Sequence, residues 1–184
     1  MIVWIDLETT GLDPDRDCLL EAAVVITDDE LCQVDWYESV IKPKRRALRR
    51  MDDFVVDMHT KSGLLAELPS GRDVRVVERE ILAFLDRHGL DKRLTLAGDS
   101  VHFDKSFLDR QMPELAKRFS HQILDVTSIA GCVKRWHAPV YWAMAQERDE
   151  RGGVRHRAHH DILSSIRRLD RYRDEVFVRA GEAK

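Results

Sequence analysis

The chain has 184 residues, of which 43% are hydrophobic, and this is the size of one compact domain with a substantial core rather than two domains. No apolar run approaches the roughly 18 residues of a membrane-spanning helix and no basic segment precedes the first strand, so we expect a cytoplasmic protein with no membrane partner. The formal net charge of −3 excludes a global attraction to a long duplex, so a polyanionic ligand would be short and held by a metal ion or a local basic pocket.

The first quarter of the sequence predicts three β-strands. Apolar runs cover residues 2–12, 19–27 and 34–41, and short polar turns separate them. Because such short connections join antiparallel strands, we expect a meander at this end of the chain rather than a parallel sheet.

The rest of the sequence predicts helices alternating with two further strands, because the apolar spacing changes from two to about 3.5 residues. The predicted helices cover residues 48–59, 74–88, 104–115, 127–136 and 158–172, and the predicted strands cover 94–98 and 123–126. The helix over 104–115 is expected to be interrupted or to start again at Pro113. The polar stretch 138–155 ends in Gly152-Gly153 and predicts a mobile loop. This order of elements predicts an α/β domain with a mixed sheet.

Two acids stand out in the first strand. Asp6 and Glu8 are two residues apart, so their side chains point to the same face. Two adjacent carboxylates repel each other unless a cation or a proton offsets their charge, and a divalent metal is the usual cation for oxygen ligands. The alternative is an exposed strand end where both acids are solvated.

Three later residues also have a structural and a functional interpretation. Asp104 follows a predicted strand and is either a helix cap or a metal ligand. Asp161 either complements the dipole of the last helix or binds metal. His156 lies among Arg155, Arg157, His159 and His160, which is typical of a solvated basic turn but also places an imidazole near Asp161.

Taken together, these residues form a pattern: Asp-x-Glu on the first strand, one distant Asp, then His-x-x-x-x-Asp at the last helix. The pattern resembles the DEDDh branch of the 3′-to-5′ exonucleases. Further segments resemble the oligoribonuclease family, namely residues 3–13, 51–59, 62–64, 98–100, 135–136 and 172–173. The resemblance implies an RNase H-like (DnaQ-like exonuclease) fold, an α/β structure with a mixed five-stranded sheet flanked by helices. We expect residues 1–178 to form a single exonuclease domain followed by a short tail, 179–184, and the chain to form a homodimer.

The resemblance also implies a set of catalytic residues. Asp6, Glu8, Asp104 and Asp161 would hold two divalent metal ions, Mg²⁺ or Mn²⁺, with Asp6 bridging both. His156 would be the general base, since an imidazole with an unperturbed pKa of about 6.5 is largely neutral near neutral pH. The glycines at 152 and 153 would let this histidine move onto bound substrate.

Substrate-binding positions follow from the same resemblance. Leu12 and Phe54 would contact bases, and His59, Ser100 and Thr127 would contact the nucleotide and its 5′-phosphate. The adjacent residues His121 and Gln122 complete the set, in a segment where the family has a partner-chain tyrosine and a phosphate-binding arginine. Asp99 stands where the family has asparagine. Neutral Gln122 cannot make a bidentate charged contact, so we expect a relaxed preference for 5′-phosphorylated dinucleotides.

The implied activity is a 3′-to-5′ exoribonuclease that hydrolyses short single-stranded RNAs, down to dinucleotides, to nucleoside 5′-monophosphates. A broader single-strand 3′-to-5′ exonuclease, acting on DNA or RNA, would share all five catalytic positions. A binding domain that had lost catalysis would be expected to lack at least one of them, and the sequence has all five.

Overall fold

A mixed β-sheet lies at the centre of the computed structural model, which describes residues 1–151 and 156–177, with the backbone alone for residues 147–151. Its strands, numbered along the chain, are β1 (Ile2–Thr9), β2 (Leu19–Thr27), β3 (Gln33–Val40), β4 (Leu94–Gly98) and β5 (Phe119–Asp125). The five strands have the order β3-β2-β1-β4-β5. β1, β2 and β3 form the predicted antiparallel meander, whereas β4 and β5 extend the sheet in parallel from β1. The mixed five-stranded sheet expected from the sequence is therefore confirmed.

Helices cover both faces of this sheet. They are α1 (Arg45–Leu48), α2 (Asp53–Lys61), α3 (Leu64–Glu67), α4 (Val74–Arg87), α5 (His102–Gln111), α6 (Pro113–Ala116), α7 (Val126–Trp136), α8 (Ala138–Arg151) and α9 (Ala158–Glu175), with a 3₁₀ turn at Leu68–Ser70. No helix in the described part of the chain is both long and apolar enough to span a membrane.

The alternation of side chains along β1 divides the core into two layers. Val3, Ile5 and Leu7 belong to the larger core with the apolar faces of α4 and α5. Trp4 points to the opposite face and packs in a second core with the apolar face of α9. Because Asp6 and Glu8 share the parity of Trp4, this alternation directs both acids to the face that α9 covers.

The predicted loop at residues 138–155 is wrong for the part that the structure describes, since residues 138–151 form α8. Val140, Tyr141 and Met144 pack against a small cluster of buried residues on α7 and α9. Their spacing of about one helical turn is an apolar stripe that the surrounding polar residues obscured. The glycines at 152 and 153 lie outside the described residues.

Two other boundaries differ from the sequence-based prediction. The helix predicted over residues 48–59 is observed as α2, which begins at Asp53 and ends at Lys61, because Asp52 accepts a hydrogen bond from Val55 N at 2.8 Å and caps its start. Leu48 instead ends the separate helix α1. β5 begins at Phe119, four residues before the predicted start at 123. Its alternation was difficult to recognise because its exposed residues include Ile123.

Gly98→Ala tests the close approach of β4 to the strand that carries the acids. A Cβ at this position would lie 2.8 Å from the backbone oxygen of Ile5, so we expect the free energy of unfolding to fall by about 1–3 kcal/mol. Gly131→Ala is the matched control, because a Cβ at this position in α7 meets only an Arg135 side-chain atom, at 3.5 Å. Since alanine favours a helix more than glycine does, the free energy of unfolding should rise by about 0.5–1 kcal/mol. Urea denaturation followed by circular dichroism measures both variants. A Gly98→Ala variant with unchanged stability would contradict the close contact between β4 and the backbone of Ile5.

Candidate active site

The end of β1 carries two acids with no cationic partner nearby. Asp6 is partly buried and Glu8 is buried. In the described part of the chain, no Lys or Arg lies within ion-pair distance of either carboxylate, and the only imidazole within that distance is His59, whose Nδ1 lies 3.9 Å from Glu8 Oε2. Neither acid therefore belongs to a conventional salt bridge.

Asp104 brings a third carboxylate to the same place from α5. Its Oδ1 accepts a hydrogen bond of 3.0 Å from Leu7 N, the backbone amide between the two acids of β1. Asp104 is buried. The backbone of β1 thus attaches directly to the first turn of α5, and this contact fixes the position of the third acid.

The first turn of α9 supplies the remaining candidates. His156 N donates a 3.0 Å hydrogen bond to Asp161 Oδ2, and His156 adopts a left-handed backbone conformation with φ of +64°. One ligand atom from each of Glu8, His156 and Asp161 lies within 4.8 Å of the others. Residues separated by about 150 positions in sequence therefore meet at one point.

The electrostatics of this cluster show that its negative charge is offset only slightly, by Arg157, whose charge lowers the pKa of Glu8. Burial raises the pKa of Asp6 well above the usual range, and the charges of Asp104, Glu8 and Asp161 raise it further. Burial raises the pKa of Glu8 to about 8, with smaller contributions from the charges of Asp161 and Glu21. The pKa of Asp104 is raised to about 8, again mainly by burial, although its hydrogen bond with Leu7 N opposes the increase.

The donor set fits a divalent cation. Carboxylate oxygens are the ligands that Mg²⁺ and Mn²⁺ prefer, and a bound cation would offset the repulsion that raises the pKa of Asp6, Glu8 and Asp104. The described residues thus contain a group, Glu8 with His156 and Asp161, that could hold such an ion.

The predicted substrate-binding residues have different environments. Leu12 and Phe54 are exposed apolar side chains, with 81% and 73% of their surface accessible. Exposed His121 and Gln122 lie on β5, at an edge of the sheet. Leu12 and Phe54 are thus available to contact a ligand directly.

Ser100 and Thr127 form a small hydroxyl network with Asp99. Thr127 Oγ1 accepts from Ser100 N at 3.0 Å and donates to Asp99 Oδ1 at 2.9 Å. Asp99 also forms an ion pair with Arg168 of α9. The charge of Asp99 is therefore offset by a guanidinium that the sequence did not connect to it.

His59 is fully buried beside Glu8 rather than exposed. Its Nε2 lies 3.0 Å from the carbonyl oxygen of Thr9 and must donate to it, whereas its Nδ1 has no hydrogen-bond partner. Burial lowers the pKa of His59, which favours the neutral ring. The structure therefore places His59 in the interior between Glu8 and the backbone of Thr9.

Sequence reasoning missed a group of three residues next to the site, Glu21, Glu67 and Arg157. Arg157 forms ion pairs with both glutamates, and Glu21 is the ladder partner of Glu8 between β1 and β2. One signal was present in the sequence, since Glu21 is an acid within an otherwise apolar run and such an acid needs a buried partner.

Comparison with known proteins assigns the chain to a family. A family model described as Exonuclease matches residues 3–169. The chain is 43% identical to the oligoribonuclease of Leifsonia xyli subsp. xyli over 179 residues, which cover 96% of this chain and 84% of that protein. The chain belongs to the oligoribonuclease family. The oligoribonuclease of Streptomyces coelicolor is 40% identical over 179 residues, covering 96% of this chain and 87% of that protein. This member of the oligoribonuclease family is therefore a 3′-to-5′ exonuclease.

Solved structures support the same fold at much lower sequence identity. Exonuclease I of E. coli in complex with a dA16 oligonucleotide has a TM-score of 0.74 and 14% identity, covering 95% of this chain. The chain spans only 41% of that protein's length, so the likeness concerns the shared domain alone. It confirms the RNase H-like, DnaQ-like fold expected for this oligoribonuclease family member.

The metal-free protein should lose stability as the pH rises. The carboxyl pKa values of Glu8 and Asp104 are about 8 in the folded state, and unfolded carboxyls titrate near pH 4. Between those limits the folded state binds more protons, so the contribution of these groups to stability is present below about pH 4 and is lost as pH approaches 8. A divalent cation replaces those protons, so its stabilising effect should grow over the same window.

Thermal unfolding in EDTA and in Mn²⁺, from about pH 5.5 to about pH 8.5, measures this dependence. At a Mn²⁺ concentration of about 100 times Kd, an increase of roughly 2.7 kcal/mol, or about 5–10 °C, is expected at the alkaline end. Asp6→Asn should reduce the increase, because it removes one ligand and one of the repelling charges. An equal increase at every pH would contradict the assignment of these acids.

Proposed function

We propose that this chain hydrolyses short single-stranded oligoribonucleotides, down to dinucleotides, from their 3′ ends and releases nucleoside 5′-monophosphates. One observation carries the proposal: ligand atoms of Glu8, His156 and Asp161 lie within 4.8 Å of one another. The cluster lies beside Asp6 and Asp104 in a chain that is 43% identical to an oligoribonuclease.

Asp6, Glu8, Asp104 and Asp161 are proposed to hold two divalent cations, Mg²⁺ or Mn²⁺. Bound cations of this kind supply Lewis-acid chemistry, which stabilises negative charge on phosphate oxygens and makes water more acidic. The chain itself supplies a rigid, partly desolvated set of oxygen ligands, held by the Leu7 N contact to Asp104 and by the first turn of α9.

His156 is proposed as the general base. Its backbone is fixed by the hydrogen bond to Asp161, while its side chain is exposed next to Glu8 and Asp161. A neutral imidazole at this position takes the proton from the attacking water at a ring nitrogen. The opposite assignment, in which His156 is a metal ligand, makes a different prediction for metal binding.

Substrate bases are proposed to contact Leu12 and Phe54. Both side chains are exposed, and such apolar and aromatic surfaces bind bases of any identity, so little base preference is expected. Ser100 and Thr127 are proposed to contact the phosphate or sugar through the hydroxyl network next to Asp99. His59 is fully buried, so we propose that it supports Glu8 from the interior, where its Nδ1 lies 3.9 Å from Glu8 Oε2.

A homodimer is proposed through the β5 edge of the sheet. Three consecutive residues of this edge strand, His121, Gln122 and Ile123, are exposed, and Trp136 of the neighbouring α7 has 74% of its surface accessible. An exposed strand edge with large apolar side chains is typical of an interface. A partner copy on this edge would bring its own residues near His121.

A broader single-strand 3′-to-5′ exonuclease, cytoplasmic like the first candidate, is the second candidate function. Gln122 favours it, because a neutral amide at the proposed 5′-phosphate position removes the charged contact that would select dinucleotides. The two candidates differ in how turnover depends on substrate length.

Replacing His156 by Ala should lower kcat by about 100- to 10,000-fold, the usual contribution of a general base. Calorimetric Mn²⁺ affinity should stay close to that of the unmodified protein, because the base does not bind the metal. His160→Ala is the matched control, an exposed histidine four residues away that should retain normal turnover. Loss of Mn²⁺ affinity together with activity would show that His156 is a ligand instead.

Gln122→Arg should restore selection for a 5′-phosphate. The unmodified protein is expected to hydrolyse phosphorylated and unphosphorylated dinucleotides at similar kcat/KM, and the arginine should favour the phosphorylated form by about 10-fold or more, the value of one charged hydrogen bond. Turnover of both series from two to seven nucleotides provides the measurement, with Gln146→Arg as a control for added charge.

The same series separates the two candidate functions. A steep decline in turnover beyond three nucleotides in the unmodified protein would exclude the broader exonuclease.

A further inference from the structure

Arg157 connects the start of α9 to two other parts of the fold. Its Nε and Nη2 donate to Glu21 Oε1 at 3.0 and 2.7 Å, and its Nη1 and Nη2 donate to the two oxygens of Glu67 at 2.9 and 3.1 Å. The arginine side chain is 20% exposed and Glu21 is fully buried. One guanidinium thus binds two carboxylates, from β2 and from α3.

Glu21 holds the same segment a second time through the backbone. Its Oε2 accepts a 2.9 Å hydrogen bond from Ala158 N, the first residue of α9. Glu21 is also paired across the β1–β2 ladder with Glu8. The start of α9 is therefore attached to the strand position opposite the acid of the candidate active site.

The backbone conformation of His156 must be stabilised by contacts of neighbouring residues. Its left-handed conformation is unfavourable for a residue with a Cβ and persists only where surrounding contacts enforce it. The next residue, Arg157, is fixed by five charge-assisted hydrogen bonds, and its carbonyl oxygen accepts a hydrogen bond from Asp161 N at 3.0 Å. The contacts of Arg157 thus stabilise the backbone on both sides, next to His156 and at the carbonyl oxygen that binds Asp161 N.

We propose that Arg157, held by Glu21 and Glu67, is a positioning residue that places His156 and Asp161 opposite Glu8. This inference rests on the proposed function for its catalytic consequence, but the placement itself is independent of activity. A lysine cannot replace Arg157, because a single ammonium lacks the planar set of donors that reaches two carboxylates at once.

Arg157→Lys is the principal test, measured on the full chain. We expect kcat to fall by about 10- to 100-fold with KM nearly unchanged, since small displacements of catalytic groups affect turnover more than binding. Calorimetric Mn²⁺ affinity should fall as well, because Asp161 moves relative to Glu8. Amide hydrogen exchange should become faster at residues 156–161 and stay unchanged in the core strands.

Two further variants separate positioning from stability. Arg173→Lys is the matched control, an arginine of the same helix that pairs with Glu30 away from the site, and it should keep the kcat of the unmodified protein. Glu21→Gln removes the charge of the buried partner and should reproduce the Arg157→Lys pattern. If the Arg157→Lys protein does not fold, Glu21→Gln with the same three measurements decides.

The outcomes are distinct. A lower unfolding temperature with unchanged kcat, Mn²⁺ affinity and exchange at residues 156–161 would overturn the inference and leave Arg157 a purely structural ion pair. If the unmodified protein fails to hydrolyse RNA, the proposed function fails. In that case the Mn²⁺ affinity and exchange measurements still test the positioning role.

Discussion

The repulsion among buried carboxylates at the end of β1 is the constraint on which the rest of this structure depends. Glu8 and Asp104 are buried, Asp6 is partly buried, and no Lys or Arg of the described chain forms an ion pair with them. Such a cluster costs folding free energy, so it must be held by contacts made elsewhere. The two cores on opposite faces of the sheet, together with the backbone amide of Leu7, provide those contacts.

The alternation of side chains along β1 places these acids together at the candidate active site. Residues of odd number on β1 fill the core under α4 and α5, and Trp4 fills the core under α9. Asp6 and Glu8 continue the Trp4 face to the point where α9 begins, so the helix covers the apolar part of that face and leaves its acids near the helix start. The position of the site thus follows from where α9 begins, which makes the contacts of Arg157 and Glu21 important for the site.

Periodicity in the sequence was sufficient for most of the fold. The three strands of the meander and the long helices α4 and α9 have strong apolar patterns and were predicted within a few residues. Helix α8 was missed because its apolar contacts involve only a few side chains, among them Tyr141 and Met144, in a segment that is otherwise polar. Weak patterns of this kind become visible only when the partner surface is known.

The site itself could be predicted only in part. The spacing of the acids and of His156 pointed to residues that the structure does bring together at Glu8, His156 and Asp161. By contrast, the pairing of Arg157 with Glu21 joins residues 136 positions apart, and the pairing of Asp99 with Arg168 joins the segment after β4 to the middle of α9, so neither produces a local pattern. Electrostatic partners are set by tertiary contacts, whereas strands and helices are set largely by local sequence.

The Asp99 pair also changes how the charge around Ser100 and Thr127, the proposed phosphate contacts, should be understood. From the sequence, a carboxylate at this position would make the pocket less favourable for phosphate. In the structure its charge is offset by Arg168, and its Oδ1 accepts the hydroxyl of Thr127. Thr127 Oγ1 also accepts the hydrogen bonds of Ser100 N and Ser100 Oγ, so Asp99 orders the hydroxyl network that we propose to contact the phosphate or sugar. Asp99 and Gln122 are the two positions where the chain differs from the family near the proposed phosphate contacts. Of the two, Gln122 on the exposed β5 edge is the one that lowers the positive charge there. No hydrogen bond of Gln122 replaces the guanidinium of the family's arginine.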